Sequence, residues 1–294
     1  MGALEGTTIG FIGLGLMGRP MSRNLAAAGA HLVIHNRSRA PLEALAAEGM
    51  EPAGSPAEVA ARAETVIVMV ADSDAVRAVI GGPAGILERA GPATLVIDMG
   101  TTAVAVTREL GARLAERGAE LLDAPVSGGE VGAREASLSI MAGGSEPAFA
   151  RALPIFEVLG RNITHVGGLG AGQTAKAANQ VIVGLTIGAV AEALALARAA
   201  GVDPARVREA LMGGFAGSRI LELHGQRMIE GEFRPGGKVV TQRKDMRQAL
   251  ELGEALGLEL PATRLNLSLY ERLVEAGDGE LDHSALYRLY SPRD

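Results

Sequence analysis

The run Gly13-Leu14-Gly15-Leu16-Met17-Gly18 follows directly on an aliphatic stretch at residues 7–12 and opens a helical pattern at 17–28. Three glycines at that spacing, between a strand and a helix, dictate a tight turn, an open backbone beside a ligand and close helix packing. The helix that starts there presents unpaired N–H groups and a partial positive charge, which together suit a pyrophosphate. A chain with 40 glycines in 294 residues produces such spacings by chance. The strand before and the helix after give this one its meaning.

The rest of the first half keeps the same rhythm. Short aliphatic runs at 31–34, 65–70, 94–98 and 120–123 read as strands, with helical patterns at 42–47, 56–62 and 103–117 between them. The helix at 56–62 opens with the capping box Ser55-Pro56-Ala57-Glu58. Two further strands, at 137–141 and 162–166, complete the domain. Such alternation predicts a Rossmann-type doubly wound parallel sheet with right-handed crossovers. The composition agrees, because 48% hydrophobic and only 3% aromatic residues describe an Ala/Val/Leu/Ile core of buried parallel strands. After the hinge Gly167-Gly168-Leu169-Gly170 the strand signals stop. A long helix from about 173 to 200, ended by Gly201, leads into helices opened by Asp203-Pro204 and continuing at 219–229, 242–256 and 262–275, with a short one after Asp282. The expectation is an α/β dinucleotide-binding domain at 1–167 and an all-α domain at 168–294 that begins with a long interdomain helix.

A net charge of -6 argues against nucleic acid or an anionic membrane as the main partner. The absence of cysteine removes disulfides, thiol nucleophiles and cysteine-zinc sites. No basic segment followed by an apolar stretch and a cleavage site stands at the N-terminus, and the most apolar run, 181–191, reads as too short for a bilayer. A cytoplasmic protein is expected. The five histidines show no metal-ligand spacing, and no metal site is expected. Asp282 with Ser284 reads as a cap for the last helix.

Three segments carry candidate chemistry. In Gly170-Ala171-Gly172-Gln173-Thr174-Ala175-Lys176-Ala177-Ala178-Asn179-Gln180, Lys176 and Asn179 share a helix face ahead of almost wholly aliphatic turns. The lysine either snorkels at a domain edge or meets an anionic or reactive group. Asn36-Arg37-Ser38, where an NAD site places a carboxylate, suits a ribose 2′-phosphate or else solvates a loop. Asp123-Ala124-Pro125-Val126-Ser127-Gly128-Gly129-Glu130, at a strand's C-terminal end, forms either a small carboxylate nest or a turn. A fourth segment, Lys244-Asp245, reads as a surface ion pair near the start of a helix.

In this order the motifs FIGLGLMGRPM, DAPVSGGE, GAGQTAKAANQ and KDM resemble the β-hydroxyacid dehydrogenase family over essentially the whole chain, from Thr8 to about Leu289. Residues 178–183, 213–218 and 282–286 resemble its tartronate semialdehyde (2-hydroxy-3-oxopropionate) reductase branch most. The resemblance implies Lys176 as the catalytic acid/base and Ser127, Gly128 and Gly129 as carboxylate-binding residues. Asn179, or Gln180 beside it, would contact substrate. Lys244 would lie against cofactor and substrate. Around the cofactor it implies Gly13, Leu14, Gly15, Leu16, Met17, Gly18, Asn36, Arg37, Ser38, Met69, Val70, Ala71 and Thr101. Relatives often carry phenylalanine at the position of Gly237, which implies a wider substrate site here. Ala136 and Ser137 depart from the family's usual Gly and Thr without evident consequence.

The function so implied is NADP(H)-dependent reduction of a short carboxylate-bearing semialdehyde, such as tartronate semialdehyde to D-glycerate, with NADP(H) favoured over NAD(H). The expected partners are a small hydroxy acid or semialdehyde and further copies of the chain, as a homodimer or homotetramer. A 3-hydroxyisobutyrate dehydrogenase or a glyoxylate/succinic semialdehyde reductase is the nearest alternative. An imine reductase would usually replace Lys176 with Asp or Tyr, and a non-catalytic nucleotide-binding protein would not need that lysine.

Overall fold

A computed structural model describes residues 2–290. The first part of the chain runs β1 (Thr8–Ile12), α1 (Gly18–Ala27), β2 (His31–His35), α2 (Arg39–Ala47), β3 (Glu51–Pro52), α3 (Pro56–Arg62), β4 (Thr65–Val68), α4 (Ser73–Gly81), β5 (Leu95–Asp98), α5 (Val104–Ala115) and β6 (Glu120–Asp123). It continues through β7 (Val126–Ser127), α6 (Gly129–Arg134), β8 (Leu138–Gly143), α7 (Glu146–Leu159) and β9 (Gly160–Gly167). The helix α7 escaped the pattern reading because Pro154 lies inside it, and proline normally signals a break.

The strands form one sheet in the order β3-β2-β1-β4-β5-β6-β8-β7, with β9 on β8. The order reverses at β1, so the crevice beyond the C-terminal ends of β1 and β4 is where such sheets bind ligands. The strands β1 to β6 are parallel, as the alternation predicts. The parallel-dominated sheet departs from that direction at β8, which runs antiparallel to β6 and β7. Only the six-residue α6 separates β7 from β8, whereas a parallel crossover takes about a dozen residues or more.

Both faces of the sheet are covered. Ile9, Phe11, Ile67 and Ile97 point into one core and Ile12, Val66, Val68 and Val96 into the other, the alternation of a strand buried on both sides. Each such fully buried side chain contributes about 1.5–3 kcal/mol. Gly10 faces α3 so closely that an added Cβ would collide with the Val59 side chain. The predicted capping box of α3 forms in part: Ser55 Oγ accepts the Glu58 N–H at 3.1 Å, while Glu58 reaches back to the Gly54 N–H instead of its own cap.

All helices follow: α8 (Ala171–Ala199), α9 (Pro204–Met212), α10 (Arg219–Glu230), α11 (Val239–Ala255) and α12 (Pro261–Glu275), then a 3-10 turn at His283–Leu289. The chain divides into two compact units between Lys176 and Ala177, inside α8. In the second unit Ile187, Val190, Ala191 and Leu194 of α8 join Met246, Tyr270, Leu273 and Leu286 in one core. Gly184 and Gly188 let α8 approach Gln242, Met246 and Asn266 closely. One expectation for α8 changes: its 29 residues include an 18-residue window of mean hydropathy 1.9, enough by length and composition to cross a membrane, although 44% of that window is buried inside the protein. Ile182 and Leu196 of this helix are 65% and 72% exposed.

Candidate active site

The first unit supplies a crevice at the strand ends. Gly13 has φ 102°, and a Cβ there would strike the Met69 carbonyl; one at Gly18 would strike the Gly13 carbonyl. A Cβ at Gly15 would meet nothing within 4 Å. The first and third glycines are thus fixed by packing, and the second faces open space where a ligand backbone can approach. Among the described residues, the N–H groups of Gly15, Leu16 and Met17 donate to no protein acceptor, as expected at a helix start. Met69, Val70 and Ala71 continue from the end of β4 beside this loop, and Asp72 then caps α4 through the Ala75 N–H.

Asn36 has an ordering role that its sequence position does not reveal. Its Oδ1 accepts the Leu14 N–H at 2.9 Å and its Nδ2 donates to the Ser38 carbonyl at 2.9 Å. The side chain therefore ties the glycine loop to the turn after β2. Arg37 and Ser38 are exposed beside it.

Beyond β5, Asp98 is buried and organises the next loop. Its carboxylate accepts the Gly100 N–H at 3.0 Å and the Thr102 hydroxyl at 2.6 Å. Gln173, also buried, clamps the same loop from α8: its Oε1 accepts the Thr102 N–H at 3.0 Å and its Nε2 donates to the Gly100 carbonyl at 2.9 Å. Thr101 is held between these anchors. Asp123, at the end of β6, accepts the N–H groups of Gly170 and Gln173 at 2.7 Å each and so caps α8. Burial pushes the Asp123 carboxyl up to about 6, against the pull of N–H groups from Gly170, Gln173, Asp123 itself and Gly172. Gly172 fits only because it has no side chain, since a Cβ would meet the Met141 and Asp123 carbonyls. Lys176, 7% exposed, follows Gln173 by three positions on the same helix. The start of α8 is therefore bolted to the end of β6 and to the loop after β5, and the lysine is carried by that segment.

Ser127 ends β7 and pairs with Ser139 of β8. Gly128 and Gly129 have φ 133° and 60°, so the chain turns there in a way that suits glycine. Among the described residues their N–H groups have no backbone acceptor.

The second unit holds a buried polar chain. Asn179 Nδ2 donates to Gln180 Oε1 at 2.8 Å, and Gln180 Nε2 donates to Asp245 Oδ2 at 2.6 Å and to Gln242 Oε1 at 3.2 Å. Lys244 Nζ lies 3.0 Å from Asp245 Oδ1. The expectation of a surface pair at a helix start is corrected here: both residues sit in the middle of α11, and Asp245 is only 3% exposed. Gln180 is packed behind Asn179 and bonded to Asp245, whereas Asn179 is the more open of the two amides.

Sequence reasoning missed Gln173, Gln242 and Asp98 as supporting residues, and offered Gln180 only as an alternative substrate contact, whereas its amide is bonded to Asp245. The GAGQ motif contains the first of these, but nothing local shows that its side chain bonds a loop some seventy residues earlier in the chain. It also missed that His224 and His283 meet: their Nε2 atoms lie 3.2 Å apart. Gly237 has its side-chain direction toward His283, where a Cβ would come within 3.3 Å of the ring. The expected cap by Asp282 is present, its Oδ1 accepting the Ser284 N–H at 3.1 Å.

The sequence model of the NAD binding domain of 6-phosphogluconate dehydrogenase matches residues 8–167, and that of the NAD-binding region of NADP-dependent 3-hydroxyisobutyrate dehydrogenase matches residues 170–290. The chain is 47% identical over 279 residues to 2-hydroxy-3-oxopropionate reductase of Escherichia coli strain K12, covering 95% of each. It is 36% identical over 298 residues to 3-hydroxyisobutyrate dehydrogenase of Pseudomonas aeruginosa, covering 98% of this chain and 100% of that one. A solved structure of Mycobacterium tuberculosis 3-hydroxyisobutyrate dehydrogenase with L-serine superposes with a TM-score of 0.88 at 33% identity, over 97% of this chain and 99% of that one.

Proposed function

The chain belongs to the 3-hydroxyisobutyrate dehydrogenase-like β-hydroxyacid dehydrogenase family of NAD(P)-dependent oxidoreductases, and on that premise we propose that it reduces a short carboxylate-bearing semialdehyde, tartronate semialdehyde foremost, with NADPH. The observation that carries this is Lys176, buried at the head of a helix that Asp123 and Gln173 anchor to the sheet. An amine so placed is positioned to act on a proton and has lost the freedom of a surface lysine. The 47% identity to 2-hydroxy-3-oxopropionate reductase supports the substrate.

The residues of the first unit fit a nicotinamide dinucleotide: the open face at Gly15 and the unpaired N–H groups beside it suit its pyrophosphate. When bound, that group supplies the hydride that reduces the carbonyl carbon. Gly13, Leu14, Gly15, Leu16, Met17 and Gly18 hold the phosphates; Asn36 orders the turn from which Arg37 and Ser38 reach a 2′-phosphate. Met69, Val70, Ala71 and Thr101 border the cofactor, and Lys244 lies against it and the substrate. Lys176 gives its proton to the carbonyl oxygen during reduction, or accepts the alcohol proton in reverse. Ser127, Gly128 and Gly129 bind the substrate carboxylate, and Asn179 orients the substrate by its amide. Fixing the carboxylate positions the carbonyl for reaction.

The protein works as a homodimer or homotetramer in the cytoplasm, with the exposed apolar positions Ile182 and Leu196 of α8 in a subunit contact. A branched or four-carbon semialdehyde, as for a 3-hydroxyisobutyrate dehydrogenase, is the second reading, and the small residue Gly237 favours it. A panel of C2–C4 semialdehydes and hydroxy acids, assayed with NADPH and NADH, tests the proposal. The highest kcat/KM is expected for tartronate semialdehyde with NADPH; no turnover of any carboxylate-bearing aldehyde would overturn it.

A further inference from the structure

The helical unit contains a histidine pair far from the chemistry above in sequence. His224 lies on α10 and His283 opens the 3-10 turn after α12. Their rings meet edge to face with centroids 4.6 Å apart, and the two Nε2 atoms stand 3.2 Å from each other. Two imidazole nitrogens bound to one tetrahedral zinc-class ion, at about 2.0–2.1 Å each, lie roughly 3.3 Å apart. The pair is already spaced as an edge of such a tetrahedron.

What lies behind the rings strengthens the case. His224 Nδ1 is buried and makes no hydrogen bond, and the nearest acid is Asp282, whose Oδ1 is 3.5 Å away. That distance is long for a hydrogen bond, yet the negative charge favours the tautomer with hydrogen on Nδ1. The lone pair of His224 then sits on Nε2, facing His283. A carboxylate behind a ligating histidine is the usual way a metal site fixes its ligand. Asp282 is fully buried and is itself held in place. Its Oδ2 accepts from Arg227 Nη1 at 2.8 Å, the Gly236 N–H at 2.9 Å and the Gly237 N–H at 3.2 Å; its Oδ1 accepts from Ser284 Oγ at 2.6 Å and the Ser284 N–H. With five donors already on it, Asp282 orients a ligand and does not need to be one. Its charge also offsets Arg227, the cation that would otherwise repel a metal.

Gly237 completes the arrangement. Its carbonyl accepts the His283 N–H at 2.7 Å, and a Cβ there would stand 3.3 to 3.6 Å from three atoms of the His283 ring. Its φ lies outside the left-handed region, so glycine here leaves room beside the imidazole and is not required by the backbone. The His224 side chain is 18% exposed, which leaves an edge through which water or another small ligand can complete the coordination.

We propose that His224 and His283 form a two-histidine site for a zinc-class divalent cation, each giving Nε2, with Asp282 orienting His224 from behind. The proposal does not depend on the proposed reduction. The test uses the full-length, tag-free protein, stripped with EDTA and titrated with zinc sulfate by calorimetry. One equivalent per chain is expected, with affinity falling at least about tenfold in His224→Ala and in His283→Ala. Should either alanine variant fold poorly, His224→Gln replaces it, and ¹⁵N spectra of wild-type imidazoles report the site without any substitution. The resonances of His224 and His283 are expected to shift together on adding zinc. Unchanged stoichiometry and affinity in a folded His224 variant, or zinc shifts confined to the other histidines, would overturn the proposal. An absence of zinc binding would also overturn it, leaving a pair that shares a proton.

Discussion

Asp123, at the end of β6, accepts the backbone N–H of Gln173 at 2.7 Å, so a strand end of the sheet caps the helix that carries Lys176. One turn of α8 thereby acquires two fixed points, because the side chain of Gln173 is bonded in turn to Gly100 and Thr102. The proposed acid/base role requires Lys176 to be held within a fraction of an ångström of its productive position, and the groups that hold its helix are a strand end and a loop end.

Asp123 should make stability depend on pH in an unusual direction. Its carboxyl is pushed from 3.8 up to about 6 by burial. A raised folded-state value means the contribution is fully present below pH 3.8 and is lost as pH rises through about 6, by about 3 kcal/mol at most for a shift of that size. Asp123→Asn imitates the protonated form. Urea titrations of both proteins between pH 4 and 7 should show the wild type gaining on the variant as pH falls. The opposite slope would mean that the N–H groups around Asp123, and not its burial, dominate.

Asp245 should behave as a buried residue and not as half of a surface pair. Replacing it with alanine leaves Gln180 Nε2 without its 2.6 Å acceptor and removes the carboxylate 3.0 Å from Lys244 Nζ. Breaking a buried pair costs about 3–5 kcal/mol, and the partial exposure of Lys244 places the expectation at the lower end. Asp245→Asn keeps an acceptor and should cost less. Equilibrium denaturation checks both; a loss within 0.5 kcal/mol for the alanine variant, about that of an exposed pair, would refute this role.

Arg37 should set the cofactor preference. It is exposed, on a turn that Asn36 orders, with no carboxylate at the ribose position to repel a phosphate. A charge-assisted contact is worth about 1.5–3 kcal/mol, or roughly ten- to a hundredfold in kcat/KM for NADPH over NADH. Arg37→Ala should remove most of that ratio. A wild-type preference for NADH would contradict the assignment.

Gly237→Phe should narrow the substrate range. The backbone there accepts a side chain, although the ring must displace His283, whose Cε1 would lie 3.3 Å from the new Cβ. Each methylene of substrate that loses its place costs about 0.8 kcal/mol, roughly fourfold. The ratio of kcat/KM for C4 over C3 semialdehydes should fall accordingly. An unchanged ratio in a well-folded variant would show that position 237 does not line the substrate site.

Much of this was legible because local rules applied. The glycine loop, the Ser55 and Asp282 caps and the strands of the parallel sheet each follow from neighbours in sequence. The antiparallel β8 was hidden, since alternation of strands and helices does not fix direction once a connection becomes as short as α6. The supporting polar residues were hidden for a different reason. Gln173, Gln180 and Asp245 find partners on other elements, and an amide or carboxylate on a helix carries no local sign that it will be buried. The pairing of His224 with His283, 59 residues apart, was equally beyond any spacing rule.

The central claim is that Lys176 moves the proton in a reduction of tartronate semialdehyde by NADPH. Single-turnover and steady-state kinetics of Lys176→Ala, beside a direct measurement of NADPH binding, test it most directly. Losing a positioned proton donor should lower kcat by about 10²–10⁴-fold while NADPH affinity stays close to that of the wild type. A folded variant that keeps more than about a tenth of wild-type kcat, well above the loss expected of an acid/base residue, would contradict the account.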